Sequence, residues 1–465
     1  MEILTFCFLA GFMAIAYLYG KRDLLSPWFL LCFMIFATYC VVLLNFRNWN
    51  VVIHPLFFLY LGTAIVSFGA AAAFVSKYAK KTAENAGAGK PLPLANEDRY
   101  PLRTTIENER PLAKYPAWIF AAASAVCAGI YIFKMFYDVR GAGSLSHKLS
   151  QIYVNVVDGY SPGVFFTQML EIVVGLAYVS MYRFFLVLFC KRRGKNIKEA
   201  VKCLIPVAAF MLVSLVSTDR NRLLRFVFYA ICLWILFYRD KHKEKRVNVK
   251  IAGVVFLMLL VAVALFYAFG KAKRYTSDLF RMVSIYSGSG LYNFNLWIQE
   301  FENTYYLGQA TFLSLINSLG TLLNPLGIRL EGIMDRFDPA IEFVSPNGYC
   351  YSSNIYSALK PYVEDFGYFG AILFPFLMGA IFQALYEILK TNGRGLAWIL
   401  YCQLIYSVLF FPIAEQFYRR LHLGYFYEIF WVAAIYYLAK AFSRRKCKQK
   451  TPLESKRLCP DKQDK

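Results

Sequence analysis

The feature that most restricts this fold is the recurrence of apolar runs about as long as a bilayer is thick. A helix crossing the hydrocarbon core needs roughly 20 mostly apolar residues. Eleven segments approach that length: 2–20, 26–44, 52–76, 116–136, 163–190, 201–217, 222–238, 251–270, 366–387, 395–413 and 422–442. Inside lipid every backbone N–H and C=O must be satisfied within the protein, so each run is expected to be a helix. Hydrophobic residues make up 58% of the 465, against about 45–50% in a soluble domain. The expectation is an all-α polytopic membrane protein with about eleven transmembrane helices.

The net charge of +22 has a definite distribution. With eleven spans and the C-terminal tail inside, Lys and Arg gather in segments 21–25, 77–115, 191–200, 239–250, 388–394 and 443–465. Cytoplasmic loops carry such an excess, which puts the N-terminus outside and the C-terminus in the cytoplasm. Topology and contact with anionic lipid account for the basic tail, and nucleic acid is not an expected partner. No small-residue cleavage site follows the first apolar run before Lys21 and Arg22, so no cleavable signal is expected. The eleven cysteines show no CxxC pair and no clustering with histidine. They read as structural thiols, and neither a metal site nor a cofactor is expected.

Residues 1–270 thus hold spans one to eight, interrupted by a Gly/Pro-containing cytoplasmic linker at 77–115. Residues 366–442 hold spans nine to eleven, and 443–465 form a basic tail. Between them, 271–365 form a large extracytoplasmic loop that is too apolar and aromatic for a linker. Its stretches "DLFRMVSIY", "LYNFNLWIQEF" and "ATFLSLINSLGTLL" have roughly helical spacing, separated by Gly-rich breaks such as "SGSG". Short amphipathic or re-entrant helices lying on the outer leaflet and on the helix bundle are expected there. No internal repeat or paired broken span supports a secondary transporter.

Four clusters of polar residues fall on the outer side. In "STDRNRLLRFVF", Arg220, Arg222 and Arg225 precede re-entry into the membrane. Arg222 and Arg225 share a helix face, and Arg225 lies about one turn deep, where a charge is expensive. Snorkelling anchors are the plain reading; an anion site is the sharper one, because guanidinium binds phosphate bidentately. In "NIYSALKPYVEDFG", Asn354, Tyr356, Lys360, Glu364 and Asp365 precede span nine. The two acids suit a helix start, whereas Lys360 opposes the dipole. In "SIYSGSGLYNF", Tyr286, Ser287 and the glycines suggest either an anion-binding turn or a plain helix break. In "AEQFYRRLH", Glu415, Arg419, Arg420 and His422 form a further polar turn, with His422 either a base or a structural interface residue.

The stretches "DRNRLL", "IYSGSGLYNF", "GQATF" and "NIYSALKPYVEDFG" together resemble the bacterial oligosaccharide repeat-unit polymerases of the Wzy type. The resemblance covers roughly residues 200–440, and the last stretch is its most specific part. It implies a GT-C-like membrane glycosyltransferase in the bacterial cytoplasmic (inner) membrane. Such an enzyme joins polyprenyl-diphosphate-linked repeat units into a surface polysaccharide, O-antigen or capsule, with inversion and without a metal. Undecaprenyl-diphosphate-linked oligosaccharide is the implied substrate, and a chain-length regulator is an implied partner.

On that resemblance Arg220 takes the family's arginine position, with Lys360, Arg281 and Arg419 as further cations for the leaving diphosphate. Asp365 or Glu364 is the candidate base, with His422 and Glu415 as rivals. Arg222, Arg225, Arg420, Tyr286, Ser287, Asn354 and Tyr356 are candidates for binding substrate, as are the aromatic residues Tyr292, Trp297, Tyr305 and Tyr306. Two alternatives stay open: a flippase or exporter of the lipid-linked glycan, and a ligase-type transferase of the same chemistry.

Overall fold

A computed structural model describes residues 1–85, 112, 116–141, 143–157, 162–190, 197–217, 220–242, 253, 267, 279–302, 305–328, 340–344, 350–392 and 394–448. The helices, in chain order, are α1 (Glu2–Tyr19), α2 (Pro27–Leu44), α3 (Pro55–Asn85), α4 (Ala117–Asp138), α5 (Leu145–Val157), α6 (Val164–Cys190), α7 (Ile197–Lys202), α8 (Leu204–Val216) and α9 (Arg220–His242). They continue with α10 (Leu279–Trp297), α11 (Leu313–Leu323), α12 (Leu359–Asn392), α13 (Leu396–Leu404), α14 (Tyr406–Leu409) and α15 (Leu423–Lys448). Single 3₁₀ turns lie at Asn324–Leu326 and Tyr418–Arg420.

Among the described residues eight helical segments are long and apolar enough to cross a membrane. They match the first seven expected spans and the ninth. This is the makeup of an all-α polytopic membrane protein. The eighth expected span, 251–270, lies outside the described residues except for 253 and 267. The tenth is not one continuous helix: α13 stops at Leu404, and after one residue α14 supplies a single further turn. Ser407 then donates to the Gln416 carbonyl (2.7 Å), folding the chain back on itself. The eleventh run is helical, but Glu428 and Tyr425, Tyr427, Tyr436 and Tyr437 dilute its apolarity. Helix α3 also continues to Asn85, beyond the expected linker start at Lys77; the rest of that linker is outside the described residues apart from Leu112.

Two further features depart from the sequence expectation. The "SGSG" stretch does not break a helix, because α10 runs through it from Leu279 to Trp297. A small antiparallel hairpin also forms, β1 (Ile341–Val344) pairing β2 (Cys350–Ser353) with Ile341 opposite Ser353.

The chain divides into two compact units. The first comprises Met1–Tyr100, Arg220–Asn392 and Leu400–Phe426. Here α3 lies alongside α12, joined by Ser67 donating to the Ile372 carbonyl (2.6 Å), by Thr63 and Tyr368 (2.7 Å), and by Gln383 donating to Ser76 (2.9 Å). Hydrogen bonds from small hydroxyl residues let two membrane helices approach closely. Helix α10 packs on α2 and on the 45–54 connection: Tyr292 donates to the Trp49 carbonyl (3.0 Å) and Asn295 to that of Val52 (2.8 Å). This loop helix is thus packed on the helix bundle and buried over 288–295.

The second unit comprises Pro101–Asp219, Gly393–Ile399 and Tyr427–Lys465. It is built on α4, α6 and α8 packed together. Within it Trp431 donates to Gln168 (2.7 Å), tying the 427–448 part of α15 to α6.

Helix α12 carries the feature that most shapes the first unit. Phe366 (φ −140°, ψ 15°) and Gly367 (φ 58°, ψ −139°) leave helical geometry, separating a short leading turn, 359–365, from the long apolar helix. The Gly367 conformation is one that side-chain-bearing residues avoid. A Cβ there would also come within 2.8 Å of Tyr305.

Candidate functional site

The bend after α14 is where four segments of the first unit meet. Phe228 of α9 lies edge-on to Phe410, with ring centroids 5.7 Å apart. The Phe411 carbonyl accepts the Ala358 N–H (2.9 Å) just ahead of α12. Gly290 of α10 presses on the bend so closely that a Cβ would sit 2.6 Å from the Ile413 carbonyl oxygen. Its own carbonyl accepts the Ser357 N–H (2.9 Å). Helix α9 at Phe228, the middle of α10 and the start of α12 therefore share one support.

Glu415 fixes the chain beyond the bend. Its Oε1 accepts the Tyr362 hydroxyl (3.0 Å) and the N–H groups of Phe417 and Tyr418 (both 2.9 Å). Its Oε2 accepts the Arg419 N–H (2.6 Å). Burial pushes the Glu415 carboxyl up from its ordinary value, while those three backbone donors and the tyrosine pull it back. Burial, together with the Glu415 charge, likewise raises the Tyr418 phenol.

Asp365 plays the matching part at the end of the leading turn of α12. Fully buried, it accepts the Ala310 N–H at Oδ1 (2.9 Å) and the Thr311 N–H at Oδ2 (2.6 Å). The carbonyls of Glu364 and Asp365 accept the N–H groups of Tyr306 (3.1 Å) and Leu307 (3.3 Å). The Thr311 hydroxyl donates to the Pro361 carbonyl (3.3 Å). Segment 305–312, which contains "GQATF", is thus docked on the first turns of α12. Leu307 and Gly308 take positive φ (48° and 96°) to reverse the chain there.

Between these anchors lies Lys360, 1% exposed. Its Nζ donates to Glu364 Oε1 (2.9 Å) and sits over the rings of Tyr356 (4.7 Å) and Trp297 (5.5 Å). A cation in the first turn of a helix opposes the dipole, and taking an ion pair out of water costs several kcal/mol per ion before their attraction offsets it. The sequence nevertheless keeps lysine here and surrounds it with a carboxylate and two ring faces, which attract a cation.

The strap leading into Lys360 is fixed by α10. Asn293, fully buried, donates from Nδ2 to the carbonyls of Ser353 (3.0 Å) and Ile355 (2.8 Å), and Ser289 pairs with Ser353 (2.8 Å). Neither Asn293 nor Ser289 was singled out as a site residue. The signal available was their position inside "IYSGSGLYNF" and their spacing of four on a helix.

The remaining candidates are distributed as follows. Arg220 opens α9, but its side chain lies outside the described residues. Arg225, 2% exposed, and Arg222 follow on the same helix. Arg419 donates from Nε to the Ala310 carbonyl (3.1 Å), bringing it to the loop held by Asp365. Arg281 instead lies over Tyr351 of the hairpin (4.9 Å), and Arg420 over Tyr425 (4.9 Å). His422 Nδ1 accepts the Tyr425 N–H (3.3 Å) at the start of α15. Asn354 is exposed.

The proposed anion-binding turn of Tyr286 and Ser287 is corrected by the continuous α10. Ser287 donates back to the Val283 carbonyl (2.6 Å), and Tyr286 is exposed. Backbone N–H groups in mid-helix are committed to the helix ladder and form no anion nest. Among the described residues no three His, Cys, Asp or Glu side chains are grouped so that they could hold a metal ion.

Structurally, the site brings the buried Tyr356, Lys360, Glu364, Asp365 and Glu415 together with the partly exposed Arg419 and Trp297. It combines fixed cations with apolar and aromatic walls at the start of a membrane-length helix. Comparison with known protein families, with characterised proteins and with solved structures finds no match to this chain.

Proposed function

We propose that this protein is a membrane glycosyltransferase that polymerises polyprenyl-diphosphate-linked oligosaccharide repeat units on the outer face of the bacterial cytoplasmic membrane. The observation that carries the reading is Lys360: a buried ammonium at the head of a membrane-length helix, paired with Glu364 beneath two aromatic rings. An amphiphile with an anionic head and a long apolar tail places its charge at that depth. Arg419, brought to the same region through Ala310, offers the planar fork that suits phosphate oxygens. The basic segments between the apolar runs support an outward N-terminus and a cytoplasmic tail.

The chemistry follows from the side chains. The growing chain's anomeric carbon is bonded to a diphosphate oxygen. A hydroxyl of the incoming unit attacks that carbon from the opposite face as the C–O bond to diphosphate breaks, and the bonding pair stays on the diphosphate. Cations fixed in a low-dielectric site stabilise that leaving charge. Asp365 and Glu415 hold backbone donors, and we assign proton transfer to Glu364, the partner of Lys360. As Lys360 turns toward a phosphate oxygen, the Glu364 carboxylate accepts the hydroxyl proton.

The test in cells replaces the chromosomal copy with Lys360→Met and examines surface glycan by gel. The transferase reading expects the ladder of lengths to collapse to a single repeat unit while protein remains in the membrane. An unaltered ladder would contradict it.

A further inference from the structure

Four hydrogen bonds close a circuit around Arg419. On α12, Asp365 accepts the Ala310 N–H (2.9 Å). The carbonyl of the same Ala310 accepts Arg419 Nε (3.1 Å). The Arg419 backbone N–H donates to Glu415 Oε2 (2.6 Å). Glu415 Oε1 accepts the Tyr362 hydroxyl (3.0 Å), and Tyr362 lies three residues before Asp365 on α12. Tyr362, Asp365 and Glu415 are buried, and Arg419 is the partly exposed side chain of the set.

Between them the two carboxylates accept five backbone N–H groups, from Ala310, Thr311, Phe417, Tyr418 and Arg419. A carboxylate held in this way sets backbone positions. It is not presented as an acceptor for a substrate proton. The arrangement grips the arginine at both ends: Glu415 fixes where its main chain lies, and Asp365, acting through Ala310, fixes where Nε points. With Nε committed the guanidinium plane is set, and a set plane loses little freedom when it meets an oxyanion.

We propose that Asp365 and Glu415 are positioning residues that aim the Arg419 guanidinium at the diphosphate of the lipid-linked substrate. The inference rests on the transferase reading for its ligand but not for the circuit itself.

The experiment has two arms, both on the full chain in lipid nanodiscs. In the first, phenylglyoxal modification of Arg419 is timed by peptide mass spectrometry in the parent, Asp365→Asn and Tyr362→Phe. Tyr362→Phe removes a single hydroxyl and keeps the measurement available should Asp365→Asn fail to fold. Loss of a charge-assisted hydrogen bond shifts such an equilibrium about tenfold. Modification is expected to quicken by about that factor in Asp365→Asn and less in Tyr362→Phe. Unchanged rates would overturn the positioning role.

The second arm titrates undecaprenyl diphosphate. Arg419→Gln is expected to weaken binding about tenfold, Arg419→Lys to recover part of it, and Asp365→Asn with Arg419→Gln to bind no more weakly than Arg419→Gln alone. Additive losses would overturn the claim that Asp365 acts through Arg419. Absence of binding by the parent would remove the diphosphate as ligand and the transferase reading with it, while the modification arm still decides the positioning.

Discussion

Asp365 and Ala310, 55 residues apart in the chain, are joined by a hydrogen bond of 2.9 Å from the Ala310 N–H to the buried carboxylate. Thr311 donates to the second oxygen of the same group at 2.6 Å. One side chain thereby docks the 305–312 loop onto the start of α12. Asp365→Asn keeps one acceptor but turns an NH₂ toward a backbone donor. The expected loss is about 1–3 kcal/mol, the penalty for a buried group left unsatisfied. Thermal unfolding in detergent should show it as a clear drop in midpoint, and Asp365→Glu should not restore the parent value.

Gly367 is the hinge between the leading turn and the long helix. At φ 58° and ψ −139°, with Tyr305 2.8 Å from where a Cβ would sit, Gly367→Ala is expected to destabilise by about 1–3 kcal/mol. Gly129→Ala on α4, where nothing lies within 4 Å of the new Cβ, should leave the midpoint within experimental scatter.

The Lys360–Glu364 pair separates folding from chemistry. Lys360→Met leaves Glu364 buried without its cation, at an expected cost of about 3–5 kcal/mol. Replacing both residues, Lys360→Met with Glu364→Leu, should recover most of that stability. Glycan transfer should remain absent in the double variant. Recovery of transfer along with stability would show that the pair only holds the fold.

Asp23 provides a pH-dependent check on the first unit. It lies between α1 and α2 and is buried. It accepts hydrogen bonds from Arg239 and Tyr386, and from the Leu25 N–H at 2.9 Å. Burial alone would raise its carboxyl, but the Arg239 guanidinium outweighs it and holds the group below its ordinary value. A depressed folded-state value means that ionised Asp23 stabilises the protein above about pH 3.9 and that this contribution is lost as pH falls through the lower folded value. Unfolding midpoints across that acid range should fall steeply for the parent and more gently for Asp23→Asn.

The sequence made the spans legible because lipid demands a continuous apolar helix, and such a run needs no tertiary information to recognise. The broken tenth segment was not legible. Apart from Gln403 and Ser407 its residues 395–413 are largely apolar, and the meeting of Ser407 with Gln416 at the reversal is a contact that composition does not carry. The hairpin was not read from the sequence, because 271–365 reads as a loop carrying short helices. Lys360 stood out because it contradicts the helix dipole. Asp365 was identified as a residue of interest, but its attachment to Ala310 and Thr311 was not, since a long-range contact to backbone leaves no mark on side-chain spacing. Glycines in "SGSG" suggested a break; in the fold Gly290 instead admits the backbone of Ile413. A small residue reads the same in either role until its neighbour is known.

The most direct test of the central claim supplies purified protein in sealed lipid vesicles with undecaprenyl-diphosphate-linked repeat unit from its host and resolves the lipid-linked products on a gel. The account predicts a ladder of increasing glycan length for the parent and none for the Lys360→Met, Glu364→Leu double variant. Movement of the unit across the bilayer with no ladder formed would contradict it, and would assign the protein to transport of the same lipid.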